Sequence, residues 1–269
     1  MKINLRRVTT GAVLIAAASA FLFCTGFTKA SDHGNHENGY LKSATYYSDD
    51  WVINFWNSES SHMDEELKQI REDGFNSIIL VVPWREFQPS MAPEHYNDYA
   101  WEKFDRVMKA AKAQDLKVML RVGYTWDYYS SENVLARYEK LLYDSETKKA
   151  WLHYAKRLYE RAAVHENFCG GFITWEDFWN FAENSVFYGS GLAGRKMASK
   201  CGYTQYVKEH YTLEELGEIY RDTFDSYGEI YLPAKESYAR KLFFQFYDHF
   251  LNDILAETQT VFPDLSMEV

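Results

Sequence analysis

The residues best suited to chemistry lie together in Gly170-Gly171-Phe172-Ile173-Thr174-Trp175-Glu176-Asp177-Phe178-Trp179-Asn180. Two glycines lead into a short apolar run that delivers one carboxylate, Glu176, among Trp175, Phe178 and Trp179. A carboxylate between indole rings is poorly solvated, so its pKa rises and it stays protonated near neutral pH, fit for general acid work. Aromatic faces also stack on sugar rings, so an acid and a platform arrive on one segment. The plainer alternative is a strand end whose glutamate pairs with a lysine or arginine.

Three more segments share this aromatic and polar character: Trp56-Asn57, Trp84-Arg85-Glu86, and Tyr124-Thr125-Trp126-Asp127. Trp56, Trp84, Trp126, Trp175 and Trp179 are candidate platforms for a ligand ring. Glu86 and Asp127 are candidate hydroxyl-binding or ion-paired groups, and either could supply a second carboxylate. Arg121 sits where a strand should be apolar, and buried arginines are generally paired, so it is a candidate for orienting a carboxylate. Emergence at a rim is the alternative. Near the N-terminus His33 and His36 read as part of a solvated tail, and no HExxH or Cys-x-x-Cys occurs, so neither a metal nor another cofactor is expected.

These segments need elements to hold them. Trp51 to Trp56 is a short apolar run rich in strand formers and reads as strand one. Met63, Leu67 and Ile70 fall at helical spacing, Ser61 with Asp64 resembles a capping box, and Gly74 stands where a helix needs a left-handed C-terminal residue. Ser77 to Val82 is a continuous Ile/Leu/Val run, the pattern of a parallel strand buried on both faces. A helix from about Tyr99 carries Trp101, Phe104, Met108 and Ala111 on one face. Lys117 to Val122 is strand three, and its helix starts near Ser145 with Trp151, Tyr154, Ala155, Leu158 and Ala162 inward. Strand four ends in the Glu176 segment. Thr212 and Glu215 form a capping box, a long helix covers Glu236 to Thr258, and strand five begins at Leu265.

Strands alternating with helices demand a parallel sheet, and in such folds the loops after the strands' C-terminal ends carry function. Every candidate loop falls at such an end. A doubly wound nucleotide-binding sheet would want a glycine-rich phosphate turn after strand one, and Asn57-Ser58-Glu59 offers none, so the fold class expected is α/β, a (β/α)8 barrel.

The 269 residues suffice for a sizeable core, and one domain is the default over residues 50–269. The 21 tyrosines and 8 tryptophans exceed what such a core needs, so some must line a groove. A formal charge of −10 argues against nucleic acid or another polyanion as partner. Lys2, Arg6 and Arg7 precede an apolar run from about Val8 to Phe27 and then Thr28-Lys29-Ala30, the plan of an export signal over residues 1–30, with an uncleaved membrane anchor as the alternative. Either form places the folded part outside the cytoplasm, extracellular or at the cell surface. Ser31 to Asp49 reads as a linker. Cys169 and Cys201 allow at most one disulfide after the signal.

Phe75-Asn76-Ser77-Ile78, Val82-Pro83-Trp84 with Gln88-Pro89, and Tyr206-Val207-Lys208-Glu209-His210-Tyr211-Thr212-Leu213-Glu214-Glu215-Leu216 carry a resemblance over about Trp51 to the end. The chain resembles the retaining glycoside hydrolases of clan A, built on (β/α)8 barrels and including cellulases, and the segment after strand four is similar to that of the family 42 β-galactosidases. The resemblance implies a β-linked oligo- or polysaccharide substrate and makes Glu176 the acid/base residue closing strand four. Trp175 stands where the clan usually places an asparagine. The clan's nucleophile is a second glutamate closing strand seven, and retaining chemistry sets the two carboxyls roughly 5 to 5.5 Å apart. Four βα units and the start of a fifth strand amount to about half of such a barrel, so the expectation is a truncated barrel without turnover by itself and prone to aggregate. A sugar-binding protein without turnover and a membrane-anchored protein of polysaccharide synthesis or export are the rival classes.

Overall fold

The computed structural model describes residues 40–123, 140–141, 143–173 and 189–267. Its first strand, β1 (Ser43–Tyr46), pairs in parallel with β2 (Ser77–Pro83), in register from Ser43 opposite Ser77 to Tyr46 opposite Leu80. The entry to this pair is fastened by Asn76, whose side chain accepts from the Lys42 amide (2.8 Å) and donates to the Tyr40 carbonyl (2.7 Å). The expected linker over residues 31–49 therefore contains a sheet strand.

The expected strand Trp51 to Trp56 is instead a turn ending in a 3-10 helix, Asn54–Asn57, which drops Phe55 and Trp56 into the core. A short apolar run fits a buried strand and a buried turn equally well. Pairing decided the matter.

Helix α1 (Met63–Glu72) follows with Leu67 buried, and Gly74 beyond it adopts φ +82, the left-handed region a side chain would strain. Its N-terminus differs from expectation: His62 is the cap residue, with no side-chain cap bond from Ser61 or Asp64. After β2 come a one-turn helix, α2 (Trp84–Phe87), and an antiparallel pair of two-residue strands, β3 (Ser90–Met91) and β4 (Glu94–His95). Helix α3 (Asp98–Ala113) is capped by Asn97, whose side chain accepts from the Ala100 amide. Strand β5 (Lys117–Gly123), helix α4 (Ser145–Ala162) and strand β6 (Phe168–Ile173) complete the next units. The apolar stripes read from sequence are the buried faces of α3 and α4.

Beyond β6 the described chain resumes with three short helices, α5 (Leu192–Lys200), α6 (Tyr203–His210) and α7 (Leu213–Tyr220), the last opened by the Thr212/Glu215 capping box. Helix α8 (Arg240–Gln259) then leads to β7 (Leu265–Met267). Tyr203 meets Phe243 and Phe246, and the Tyr211 hydroxyl reaches Gln245, so α6 and the residue that ends it pack on the first half of α8.

Among the described residues the main sheet has the order β1-β2-β5-β6-β7, and every neighbouring pair is parallel. Strand order therefore follows chain order without reversal. A doubly wound sheet reverses at its switch point and carries helices on both faces. Here Ile78, Leu80, Val82, Val118, Leu120, Val122 and Ile173 share one continuous core with Leu67, Phe104, Tyr154 and Ile254 of the helices. Alternation turns Ile79, Val81, Met119, Arg121 and Phe172 to the opposite face. Val81 there packs with Val52, Tyr47 and Ile53 as a separate small cluster, and Ile79, Met119, Arg121 and Phe172 are half-buried.

The expected export signal over residues 1–30, or the anchor that is its alternative, lies outside the described residues; among those described, no helix is long and apolar enough to cross a membrane. Cys169 and Cys201 do not pair. Burial pushes the Cys169 thiol up to about 11, so it stays protonated and packs as a small apolar group.

Candidate functional site

In sequence the candidate residues lie on or directly after the strands whose C-terminal ends form one edge of the sheet, except Trp56 and Glu86, which lie on the short helices that follow β1 and β2. Glu176, Trp175, Trp179, Trp126 and Asp127 lie outside the described residues. Trp56, Trp84, Glu86 and Arg121 lie within them.

Two expected platforms are core residues. Trp56 is fully buried, its indole N–H donates to the Val81 carbonyl at 2.9 Å, and its ring sits 4.5 Å from Phe87 and 5.1 Å from Phe55. Trp84 is equally enclosed, donating to Gln88 Oε1 at 2.5 Å and meeting Trp151 edge to face at 5.2 Å. A tryptophan buries at little cost once its single donor has an acceptor, and both have one. Neither presents a face to a ligand.

Glu86, on α2, is half-buried and accepts from the Asn57 amide. The Asn97 amide in turn donates to Asn57 Oδ1 (3.2 Å) and to the Glu86 carbonyl (3.0 Å). This cluster ties the loop after β1 to the loop after β2, so Glu86 is held as a fixed acceptor at the edge.

Arg121 occupies the fifth position of β5, opposite Val81 on β2 and Phe172 on β6, and Phe172 is opposite Ser266 on β7. This row crosses four strands on the face turned from the helices. Arg121 is thus the cross-strand neighbour of β6, whose sequence continues into Thr174-Trp175-Glu176. One irregularity sets that register: Val118 is opposite Phe168 but Leu120 is opposite Gly171, so β6 carries an extra residue, and Gly170 there has φ +99.

A second polar cluster was not legible in the sequence. Gln88, fully buried, passes the Trp84 bond onward by donating to Glu94 Oε1 at 2.9 Å. Glu94 also accepts from the Tyr96 hydroxyl and lies 3.1 Å from His153 Nδ1. Burial would raise the Glu94 pKa, but the bonds from Tyr96 and His153 outweigh it and hold the carboxyl below its ordinary value. The only sequence signal was Gln88 between Phe87 and Pro89. Beside it, Tyr96, His153, Lys156, Arg157 and Glu160 line an open depression of about 410 Å³, with the Arg157 guanidinium 4.3 Å over the Tyr96 ring. The depression lies on α4, on the helix side of the sheet.

No protein-family model matches the chain, and no curated protein matches it. Among solved structures it aligns with the GH5_18 protein from Bifidobacterium longum subsp. longum ATCC 55813 at 17% identity and a TM-score of 0.41, over 51% of this chain and 33% of that one. The exo-beta-1,4-mannosidase Op5Man5 from Opitutaceae bacterium strain TAV5 aligns at 15% identity and a TM-score of 0.43, over 60% of this chain and 29% of its own. The beta-glycosidase BGL167 aligns at 14% identity and 0.41, over 80% and 45%. The chain spans less than half the length of each. Alignments at this level fix neither substrate nor reaction.

Proposed function

We propose that this chain is an exported glycoside hydrolase-like protein of the clan A type, which engages a β-linked glycan at the C-terminal edge of its parallel sheet. The observation that carries this reading is the strand order. Among the described residues the sheet winds in one direction and packs its helices on one face, which supports the arrangement of a (β/α)8 barrel, whose function resides in the loops at that edge. Glu176 follows the last residue of β6 by three positions, and Arg121 stands on the neighbouring strand.

In this reading Glu176 is the general acid. Retaining hydrolysis has the protonated carboxyl donate to the leaving glycosidic oxygen while a second carboxylate attacks the anomeric carbon, after which water releases the sugar. Flanking Trp175 and Trp179 keep the acid protonated and supply stacking faces. Arg121 orients a carboxylate from the sheet face. Glu86, engaged by Asn57, serves as an acceptor for a sugar hydroxyl, and Asp127 is the second candidate for that task.

The test is hydrolysis and binding of β-linked gluco-, manno- and galacto-oligosaccharides by the protein and by Glu176→Gln. Turnover abolished in the variant with binding retained supports the proposal. A wild-type protein that neither cleaves nor binds any of them removes it. Export is tested separately, by N-terminal sequencing of secreted protein, with a start near Ser31 expected.

Binding without turnover is the second reading. It is favoured by Trp175, which stands where the clan that the chain resembles usually places an asparagine directly before the acid. Retained glycan binding with no cleavage by the wild-type protein selects it.

A further inference from the structure

We infer that Trp51, with Tyr47 as a side wall, is a stacking platform for a neutral pyranose ring at the sheet's C-terminal edge. The inference rests on the glycan reading above and names a ligand-binding residue for it. Trp51 leaves 58% of its surface in solvent, whereas Trp56, Trp84, Trp101 and Trp151 are buried almost completely. Its ring and that of Tyr47 have centroids 6.4 Å apart at an interplanar angle of 64°, a floor and a wall meeting at a corner.

The loop bearing this corner is tied down on every other side. Glu66 of α1 accepts from the hydroxyls of Tyr46 (2.7 Å) and Ser48 (2.8 Å), on either side of Tyr47. Ser48 holds φ +55, a conformation that costs energy for a side chain and that these bonds maintain. Asp50 returns its amide to the Tyr47 carbonyl (3.3 Å) and accepts from Ser58, and the Trp51 carbonyl accepts from the Phe55 amide at 2.9 Å. Val52, the next residue, is buried against Val81, in the same row of the sheet as Arg121. A mobile loop exposes an indole by accident. A loop with this many fixed points holds its largest apolar face outward in a defined place, and rigid aromatic faces are what a binding surface uses to gain contact at low entropic cost.

The ligand class follows from the size and surroundings of the corner. Two rings offer contact for one sugar residue, far less than the area a stable protein interface buries. Asp49, exposed and between the two rings in the chain, supplies a carboxylate to accept from hydroxyls and to repel phosphate or other anionic ligands. A pyranose combines an apolar C–H face for the indole with hydroxyls at its rim for the carboxylate.

The experiment titrates the wild-type protein, Trp51→Ala and Trp51→Tyr with tetrasaccharides of β-1,4-linked glucose and of β-1,4-linked mannose, by calorimetry. Thermal melting and size-exclusion chromatography run alongside. About tenfold weaker binding in Trp51→Ala, substantial recovery in Trp51→Tyr and unchanged melting are expected. Wild-type affinity in Trp51→Ala overturns the platform and leaves the glycan reading standing. A wild-type protein that binds neither tetrasaccharide overturns this inference, and with hydrolysis also absent it removes the glycan reading. A wild-type dimer that Trp51→Ala converts to a monomer assigns the corner to self-association instead.

Discussion

Trp151 on α4 donates its indole N–H to the hydroxyl of Thr258 on α8 at 2.8 Å, with both side chains shielded from solvent. The Thr258 hydroxyl in turn donates to the Ile254 carbonyl at 2.7 Å. The bond joins the last turn of α8 to the helix that packs against Trp84 at the end of β2. Thr258→Val keeps the volume and removes the acceptor, so a loss of about 1 to 3 kcal/mol in unfolding free energy is expected. Chemical denaturation measures it. In a double-mutant cycle with Trp151→Phe the two losses should sum to more than the double variant shows.

Lys103 is a buried cation that holds the loop after β1, donating to the Phe55 carbonyl and, at 2.8 Å, to that of Ser58. Burial lowers its pKa from the ordinary 10.5 to about 8. Between these values the unfolded chain binds more protons than the folded one, so this group makes stability rise with pH across that window. The stabilising contribution is complete above 10.5 and lost as pH falls through about 8. Melting temperatures of the wild type and Lys103→Met from pH 7 to 10.5 should show a steeper upward slope in the wild type. Parallel slopes would contradict the assignment.

Glu94 behaves in the opposite range. Its carboxyl is held below the ordinary 4.5 by Tyr96 and His153 against the opposing effect of burial, so its contribution is present above 4.5 and disappears as pH falls through the lower folded value. Glu94→Gln should therefore flatten the acid limb of the stability profile below pH 4.5. An acid limb identical in wild type and variant would show that other carboxylates govern it.

Gly171 on β6 has no room for a methyl group: a Cβ there would lie 3.0 Å from the Leu120 carbonyl oxygen and 3.3 Å from the Phe262 ring. Gly171→Ala should cost about 1 to 3 kcal/mol by overpacking. Pairing it with Phe262→Leu should recover part of the loss, because the ring is the neighbour able to give way. No recovery would place the strain at the strand backbone instead.

Much of the scaffold was legible from residue types alone, because periodicity reports burial. The β-branched run Ser77 to Val82, the stripe Trp101, Phe104, Met108 and Ala111, and the capping pair Thr212 and Glu215 each adopt the local structure their pattern favours. The parallel sheet followed, since regular alternation of strands and helices supplies the crossover connections that parallel pairing needs. Local chemistry could not assign β1, because Ser43-Ala44-Thr45-Tyr46 has no strong pattern and becomes a strand only by pairing with β2 through Asn76 and Ser77. Nor could it sort the tryptophans. Trp51 and Trp56 are the same residue five positions apart, yet one is in solvent and the other in the core, a difference made by the Val81 carbonyl that accepts the Trp56 indole and by the bonds that pin the intervening turn. An indole's affinity for burial is a property of the residue, whereas the acceptor and the space it needs come from segments distant in the chain, so only the tertiary structure decides which ring is left to face a ligand.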